Sequence, residues 1–279
     1  MDTLKHWIAR HPGLGYLGLA IIITWTLLLP AALGANGLIG WTPPEIWHAL
    51  GALGPVLAAY LVIAALEGRV GLRRWLGEQA HWRVGWGWLA IAALSPLAML
   101  GLAIVMGRII DGSWPDFSPA LRSPYGAGWM LITLLIAVAY GFGEEPGWRG
   151  FLLPQLSRRF GPVATTLLLT LAWGVWHGLM FTYRLPNEPM MMVGFFMGLL
   201  AGAIWLGWLY GRTHSILVVA LWHAVWNIVN IPSLLVSNTV VAALSTQVMV
   251  LALAIVAVWM WNQYRARHPG AGQGRSRPA

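Results

Sequence analysis

Long apolar runs separated by short polar breaks dominate this chain. Eight stand out, at roughly 14–33, 45–66, 84–107, 126–145, 161–182, 189–211, 214–235 and 239–262. Most lie near the length of about 20 residues that an α-helix needs to cross a bilayer. The breaks read as turns, such as "GANGLIGWTPP", "GRIIDGSWPDFSP" and "YRLPNEP". The pattern predicts an all-α polytopic membrane protein with about eight transmembrane helices, and it shows no internal repeat.

Two stretches depart from that rhythm. The first 33 residues look like a signal peptide, with Lys5 and Arg10 ahead of an apolar run. No clear Ala-x-Ala site follows, so the expectation is an uncleaved first span. Segment 68–82, "GRVGLRRWLGEQAHW", is too charged to cross and is expected to form an interfacial helix. That leaves 1–124 as three transmembrane helices with the interfacial helix 68–82. Residues 236–279 are read as the last transmembrane helix and a disordered basic tail.

Composition sharpens this picture. The chain is 58% hydrophobic and 9% charged, where soluble domains average about 25% charged. It has no cysteine, which excludes a disulfide framework and a thiolate metal site. The net charge of +8 does not point to nucleic acid as a partner, because the basic residues sit between the apolar runs. The bilayer is the expected partner, and the basic residues read as topology signal. Fourteen fall on one side, namely Lys5, Arg10, Arg69, Arg73, Arg74, Arg83, Arg149, Arg158, Arg159, Arg212, Arg265, Arg267, Arg275 and Arg277. Only Arg108, Arg122 and Arg184 fall on the other. Both termini are therefore expected in the cytoplasm, which requires an even number of spans.

Ionisable groups inside the runs concentrate in the fourth, fifth and seventh. The fourth runs into Glu144, Glu145 and Arg149; the fifth holds His177; the seventh holds His223 and Asn227. A charge at mid-membrane costs about 2.5–3.5 kcal/mol on insertion scales, so such groups rarely sit there without a task. At about 1.5 Å per residue, Glu144 lies about 21 Å from the basic turn at Arg158, and His177 about 22 Å from Pro162. His223 and Asn227 lie about 14 and 20 Å from His214, so the three segments could meet at one level. Pro146 and Pro154 predict a kink that would shorten these depths.

Local spacing assigns directions. Glu145 and Arg149 are four apart and can pair on one face, while Glu144 projects about 100° away toward a different partner. His223 and Asn227 share the same spacing, as do Trp173 and His177. Each feature also has a bland reading. A lone membrane histidine is commonly a helix–helix hydrogen bond, Glu145–Arg149 a structural clamp, and Asn227 interhelical glue. Trp148, Trp173, Trp176, Trp222 and Trp226 read as packing, His214 as a solvated or capping residue. The other five histidines, His48 among them, read as tail or loop residues without signal. An acid, two histidines and an amide at one depth on three helices point past the bland reading.

Here the sequence resembles the CAAX protease and bacteriocin-processing family, also called the Abi family of intramembrane proteases. Its motif Glu-Glu-x-x-x-Arg is met by Glu144, Glu145 and Arg149 within "EEPGWRGFLLPQL". Its motif Phe-x-x-x-His is met by "WGVWH", with Trp173 in the phenylalanine place, an exchange that reads as altering an aromatic wall. Its motif His-x-x-x-Asn is met by His223 and Asn227. The resemblance covers roughly 125–235, and implies that these residues form a catalytic core of the fourth to seventh helices with the active site in the bundle core.

The resemblance implies an endopeptidase in which Glu144 and His177 activate a water and His223 and Asn227 hold the oxyanion. Glu145 and Arg149 would support Glu144 from behind. The implied substrate is a peptide or membrane protein, and the implied place the bacterial inner membrane. Two histidines and a glutamate are also ligands for a hydrolytic zinc, so Glu144, His177 and His223 form an alternative metal set, and the family has been described as metalloproteases. There is no His-Glu-x-x-His, and asparagine is a poor zinc ligand, so the reading adopted needs no cofactor. Two rivals remain, a non-catalytic scaffold or immunity protein of the same family and a proton-coupled transporter. Against the transporter stand the missing repeat and the confinement of polar residues to three spans.

Overall fold

A computed structural model of the chain describes residues 2–79, 81–121, 128–185 and 188–267. The glycine-rich tail expected to be disordered lies outside them, as do Arg122, Arg275 and Arg277. Among the described residues there is no strand. Eight helices are long and apolar enough to cross a membrane: Pro12–Ala35, Glu45–Gln79, Trp86–Asp111, Gly128–Ser157, Pro162–Thr182, Pro189–Thr213, Ile216–Ser233 and Asn238–Gln263. They are numbered here as the first to eighth spans. The eight apolar runs and the eight helices correspond one to one.

The second span opens with a 3-10 stretch, Glu45–Ala52, and continues as α-helix. It breaks at Gly68, whose φ of 64° and ψ of −155° suit a residue without a Cβ. The charged segment after Gly68 is thus a separate helical piece reaching Gln79. It carries Arg74, which pairs with Glu67 across the break.

The fourth span is irregular where the sequence placed its prolines. Pro146 and Pro154 do not end it; the chain stays helical from Gly128 to Ser157 and accommodates the prolines with a π turn at Trp148–Leu152. Pro154 has no N–H to offer the Gly150 carbonyl four residues back. The indole of Trp75 donates to that carbonyl at 3.2 Å instead. Arg149 therefore lies inside the span and is fully buried. It carries no topology signal, which leaves thirteen of the fourteen basic residues on the one side.

The fourth and seventh spans form the centre of the bundle. The fourth packs against the second and seventh, and the seventh also against the third. The first span closes on the second, and the eighth covers the third and sixth. Close approach depends on glycines of the fourth span. A Cβ on Gly141 would sit 2.5 Å from the Ala220 carbonyl oxygen, and one on Gly143 2.5 Å from that of Ala52. On Gly147 it would meet the Tyr16 hydroxyl at 2.5 Å. In lipid, where the surrounding solvent is as apolar as the side chains, such close backbone packing is a main source of helix association.

The N-terminal spans are fastened to the same centre by hydrogen bonds. Trp176 Nε1 donates to Thr24 Oγ1 at 2.8 Å, and Thr24 Oγ1 donates to the Gly51 carbonyl at 2.9 Å. Trp25 Nε1 donates to the Trp176 carbonyl at 3.0 Å. At the other end of the fifth-to-seventh region, His214 closes the sixth span with a left-handed φ of 48°, the capping role expected of it. Ser215 then caps the seventh span by accepting from the Val218 amide.

Gly143→Val is expected to lower the melting temperature in detergent markedly, since overpacking costs about 1–3 kcal/mol. Gly101→Ala, where a Cβ meets nothing within 4 Å, is the control and should melt as wild type does. Equal melting of the two variants would show that the fourth and second spans do not meet at Gly143.

Candidate active site

Two consecutive carboxylates leave the middle of the fourth span in different directions, and the structure gives them different partners. Glu145 is completely buried, and its Oε1 accepts from Arg149 Nη1 at 2.8 Å and from His223 Nδ1 at 2.7 Å. The arginine is one helical turn away on the same span, as the spacing predicts. The histidine comes from the seventh span. One oxygen thus joins two helices through two charge-assisted contacts.

Glu144, also buried, takes no ion pair among the described residues. Its Oε2 accepts from two indoles, Trp148 Nε1 at 2.9 Å and Trp173 Nε1 at 2.6 Å. Trp148 is one turn along the same span, at the start of the π turn. Trp173 comes from the fifth span. Hence the sequence-adjacent acids are held in two ways, Glu145 by a guanidinium and an imidazole and Glu144 by two indoles.

His177 sits where the fifth span tightens from α-helix to a 3-10 stretch, His177–Thr182. Its Nδ1 lies 2.8 Å from the Trp173 carbonyl oxygen. A carbonyl only accepts, so Nδ1 carries the proton, and in the neutral ring Nε2 keeps its lone pair. The ring packs edge-on against Trp176 and Phe195, with centroids 4.7 and 5.1 Å away. The same logic applied to Glu145 places a proton on His223 Nδ1.

Trp173 is the common neighbour. Its N–H serves Glu144, its carbonyl serves His177, and its ring meets the His223 ring edge-on at 5.8 Å. The Arg149 guanidinium lies 4.7 Å from its ring centroid, within cation–π range. That face gives a guanidinium whose Nε and Nη2 have no hydrogen-bond partner among the described residues a favourable surface. The expectation that Trp173 is only an aromatic wall is therefore corrected: it is a hydrogen-bond donor, which the motif's phenylalanine could not be. Trp148, Trp176 and Trp222 are core residues, as the packing reading expects, and they hydrogen-bond as well. Each donates its indole proton, Trp222 to Ser95 Oγ at 3.0 Å.

Of the residues picked from sequence, Glu144, Glu145, Arg149, His177 and His223 share this cluster. Asn227 stands one turn beyond His223, half-buried, and makes no hydrogen bond to them. Among the described residues no three His, Cys, Asp or Glu side chains form a group able to hold a metal ion. Nδ1 of each histidine and Glu144 Oε2 are engaged by protein partners, which leaves both Nε2 atoms and Glu144 Oε1 as the atoms a metal could take.

Sequence reasoning passed over His48. It is a buried residue of the 3-10 stretch that opens the second span, not of a loop. Its Nδ1 lies 2.8 Å from the Tyr183 hydroxyl, its Nε2 3.0 Å from the Tyr140 hydroxyl, and Tyr140 donates to the His48 carbonyl at 3.1 Å. Tyr183, just past the fifth span, has its phenol pushed up to about 12 chiefly by burial, so it stays a donor. Beside it Arg184 pairs with Glu45. Only the inclusion of His48 in the apolar run 45–66 hinted that it was buried.

Residues 126–229 match the family model described as type II CAAX prenyl endopeptidase Rce1-like. All the motif residues from Glu144 to Asn227 fall inside the match, and the resemblance read from the three motifs is borne out over this segment. The match supports a CAAX-type intramembrane protease in general. No curated protein matches the chain.

Arg149→Ala is expected to destabilise the protein strongly. Removing one partner of a fully buried pair costs about 3–5 kcal/mol, because the remaining charge stays in low dielectric. Thermal melting in detergent checks this, and a wild-type melting temperature would mean that Glu145 is satisfied without Arg149.

Proposed function

We propose that the chain is an intramembrane endopeptidase whose general base is Glu144. The observation that carries this is the division between the two acids. Glu145 is bound by a guanidinium and an imidazole, whereas Glu144 has only neutral indole donors. A carboxylate without a cationic partner is the better proton acceptor.

In this reading a water lies between Glu144 and His177 Nε2. Glu144 takes its proton, and the hydroxide oxygen bonds to the peptide carbonyl carbon, whose π pair moves onto oxygen. His223 Nε2 and the Asn227 amide donate to that oxyanion. Because His223 gives its Nδ1 proton to Glu145, Nε2 can donate only if the ring carries a second proton. Glu145 therefore serves by holding an imidazolium, and each oxyanion donor of this kind is worth roughly 3–4 kcal/mol. Collapse of the intermediate breaks the C–N bond, and the proton held by Glu144 passes to the leaving amine.

The substrate is proposed to be a peptide or membrane protein, and the enzyme to reside in a bacterial inner membrane. The zinc scheme would require Glu144 as a ligand and leave no carboxylate as base. A scaffold role would leave the arrangement of Glu144, His177 and His223 without a task.

Glu144→Gln and His177→Ala should insert and fold yet lose proteolysis by more than a hundredfold, as typical for general acid–base groups at about 10²–10⁴. Wild-type activity should survive exhaustive chelation. Near-wild-type turnover by either variant sinks the assignment. Activity lost on chelation and restored by zinc alone would return the protein to the metalloprotease class.

Orientation is proposed as both termini cytoplasmic, from thirteen basic residues against three. Reporter fusions after Trp41 should read outside, and fusions after Gln79 and Gln263 inside. One clear reversal breaks the arrangement.

A further inference from the structure

We infer that Trp173 is a positioning residue for the proposed reaction, clamping Glu144 together with Trp148 so that one carboxylate oxygen alone faces the chemistry. The inference rests on Glu144 being the base. Both indole protons fall on Oε2, at 2.9 and 2.6 Å, and Oε1 makes no hydrogen bond among the described residues. Two donors from two different spans on one oxygen fix the carboxylate about both of its last torsions. A carboxyl group otherwise rotates broadly about its final bond. The clamp converts a two-fold rotor into an acceptor with a single exposed oxygen, and reaction rates depend steeply on such orientation.

Geometry makes the Trp173 donor the stronger one. It is the shorter contact, and the Arg149 guanidinium lies 4.7 Å from the centroid of the same ring. A cation over the π face draws electron density from the indole and leaves its N–H more acidic as a donor. Trp173 also fixes His177 through its carbonyl, so one residue sets the position of both groups proposed to flank the water. The family motif carries phenylalanine at this place. In this chain Trp173→Phe restores that motif yet removes a donor from the base, and the structure predicts harm rather than rescue.

The test uses the full chain in detergent with a cleaved peptide. Trp173→Phe and Trp148→Phe should each lower kcat by about tenfold to a hundredfold, the weight of one hydrogen bond to a charged group, with KM unchanged. Trp205→Phe is the control, since the Trp205 side chain is also buried but its indole N–H has no hydrogen-bond partner among the described residues. It should lose stability without losing kcat. A second readout does not depend on turnover or on the tryptophan variants folding. With indole ¹⁵N labelling of the 19 tryptophans, Glu144→Gln should shift two indole N–H resonances away from their downfield positions and leave the rest in place. Wild-type kcat in Trp173→Phe, with Glu144→Gln inactive, overturns the clamp and leaves the base assignment standing. Fewer than two shifted resonances also overturns it. Activity retained in Glu144→Gln instead overturns the catalytic reading itself.

Discussion

A carboxylate enclosed in the middle of a membrane bundle has no water to solvate it, so its partners dictate where the surrounding helices must lie. Glu145 meets that demand with Arg149 on its own span and His223 on the seventh, both on one oxygen. An unpaired ion there would cost several kcal/mol. The separation of the fourth and seventh spans is thereby set to the length of a glutamate and an imidazole. Gly141, which lets the Ala220 backbone come close, permits that separation. Arg149 extends the constraint to the fifth span by lying over Trp173.

The neighbouring acid could not share this arrangement. Successive helical side chains diverge by about 100°, so Glu144 faces a different sector, where aromatic residues from two spans supply neutral donors. The π turn beginning at Trp148 belongs to the same local solution. It absorbs the prolines at 146 and 154 without breaking the span, and keeps the acids, the arginine and the first indole on one continuous element. Wider support comes from helices outside the family match. Tyr16 packs edge-on against Trp148, Thr24 accepts from Trp176, and the Trp75 indole serves the Gly150 carbonyl. The fourth to seventh spans alone would leave these faces uncovered.

Much of this was legible in the sequence because membranes impose simple rules. Apolar length alone gave eight spans, since about 20 residues are needed per crossing. The cost of burying charge singled out Glu144, Glu145, Arg149, His177 and His223, and four-residue spacing paired Glu145 with Arg149. His48 escaped because its partners, Tyr140 and Tyr183, lie 92 and 135 residues away. The π turn at Trp148–Leu152 and the Trp75 indole on the Gly150 carbonyl, which let the span run on through Pro146 and Pro154, also depend on packing that spacing does not record.

Composition and spacing therefore determined the class of protein, the spans and the candidate chemistry, all of which depend on distances along one helix or on the bilayer's thickness. That Glu144 is served by two indoles was decided only by the tertiary structure. So was the bond from Glu145 to His223, and so was the conversion of Trp173 from filler into donor. These are contacts between residues 29 and 78 positions apart, and their geometry depends on how helices rotate against one another. No periodicity along the chain records that rotation.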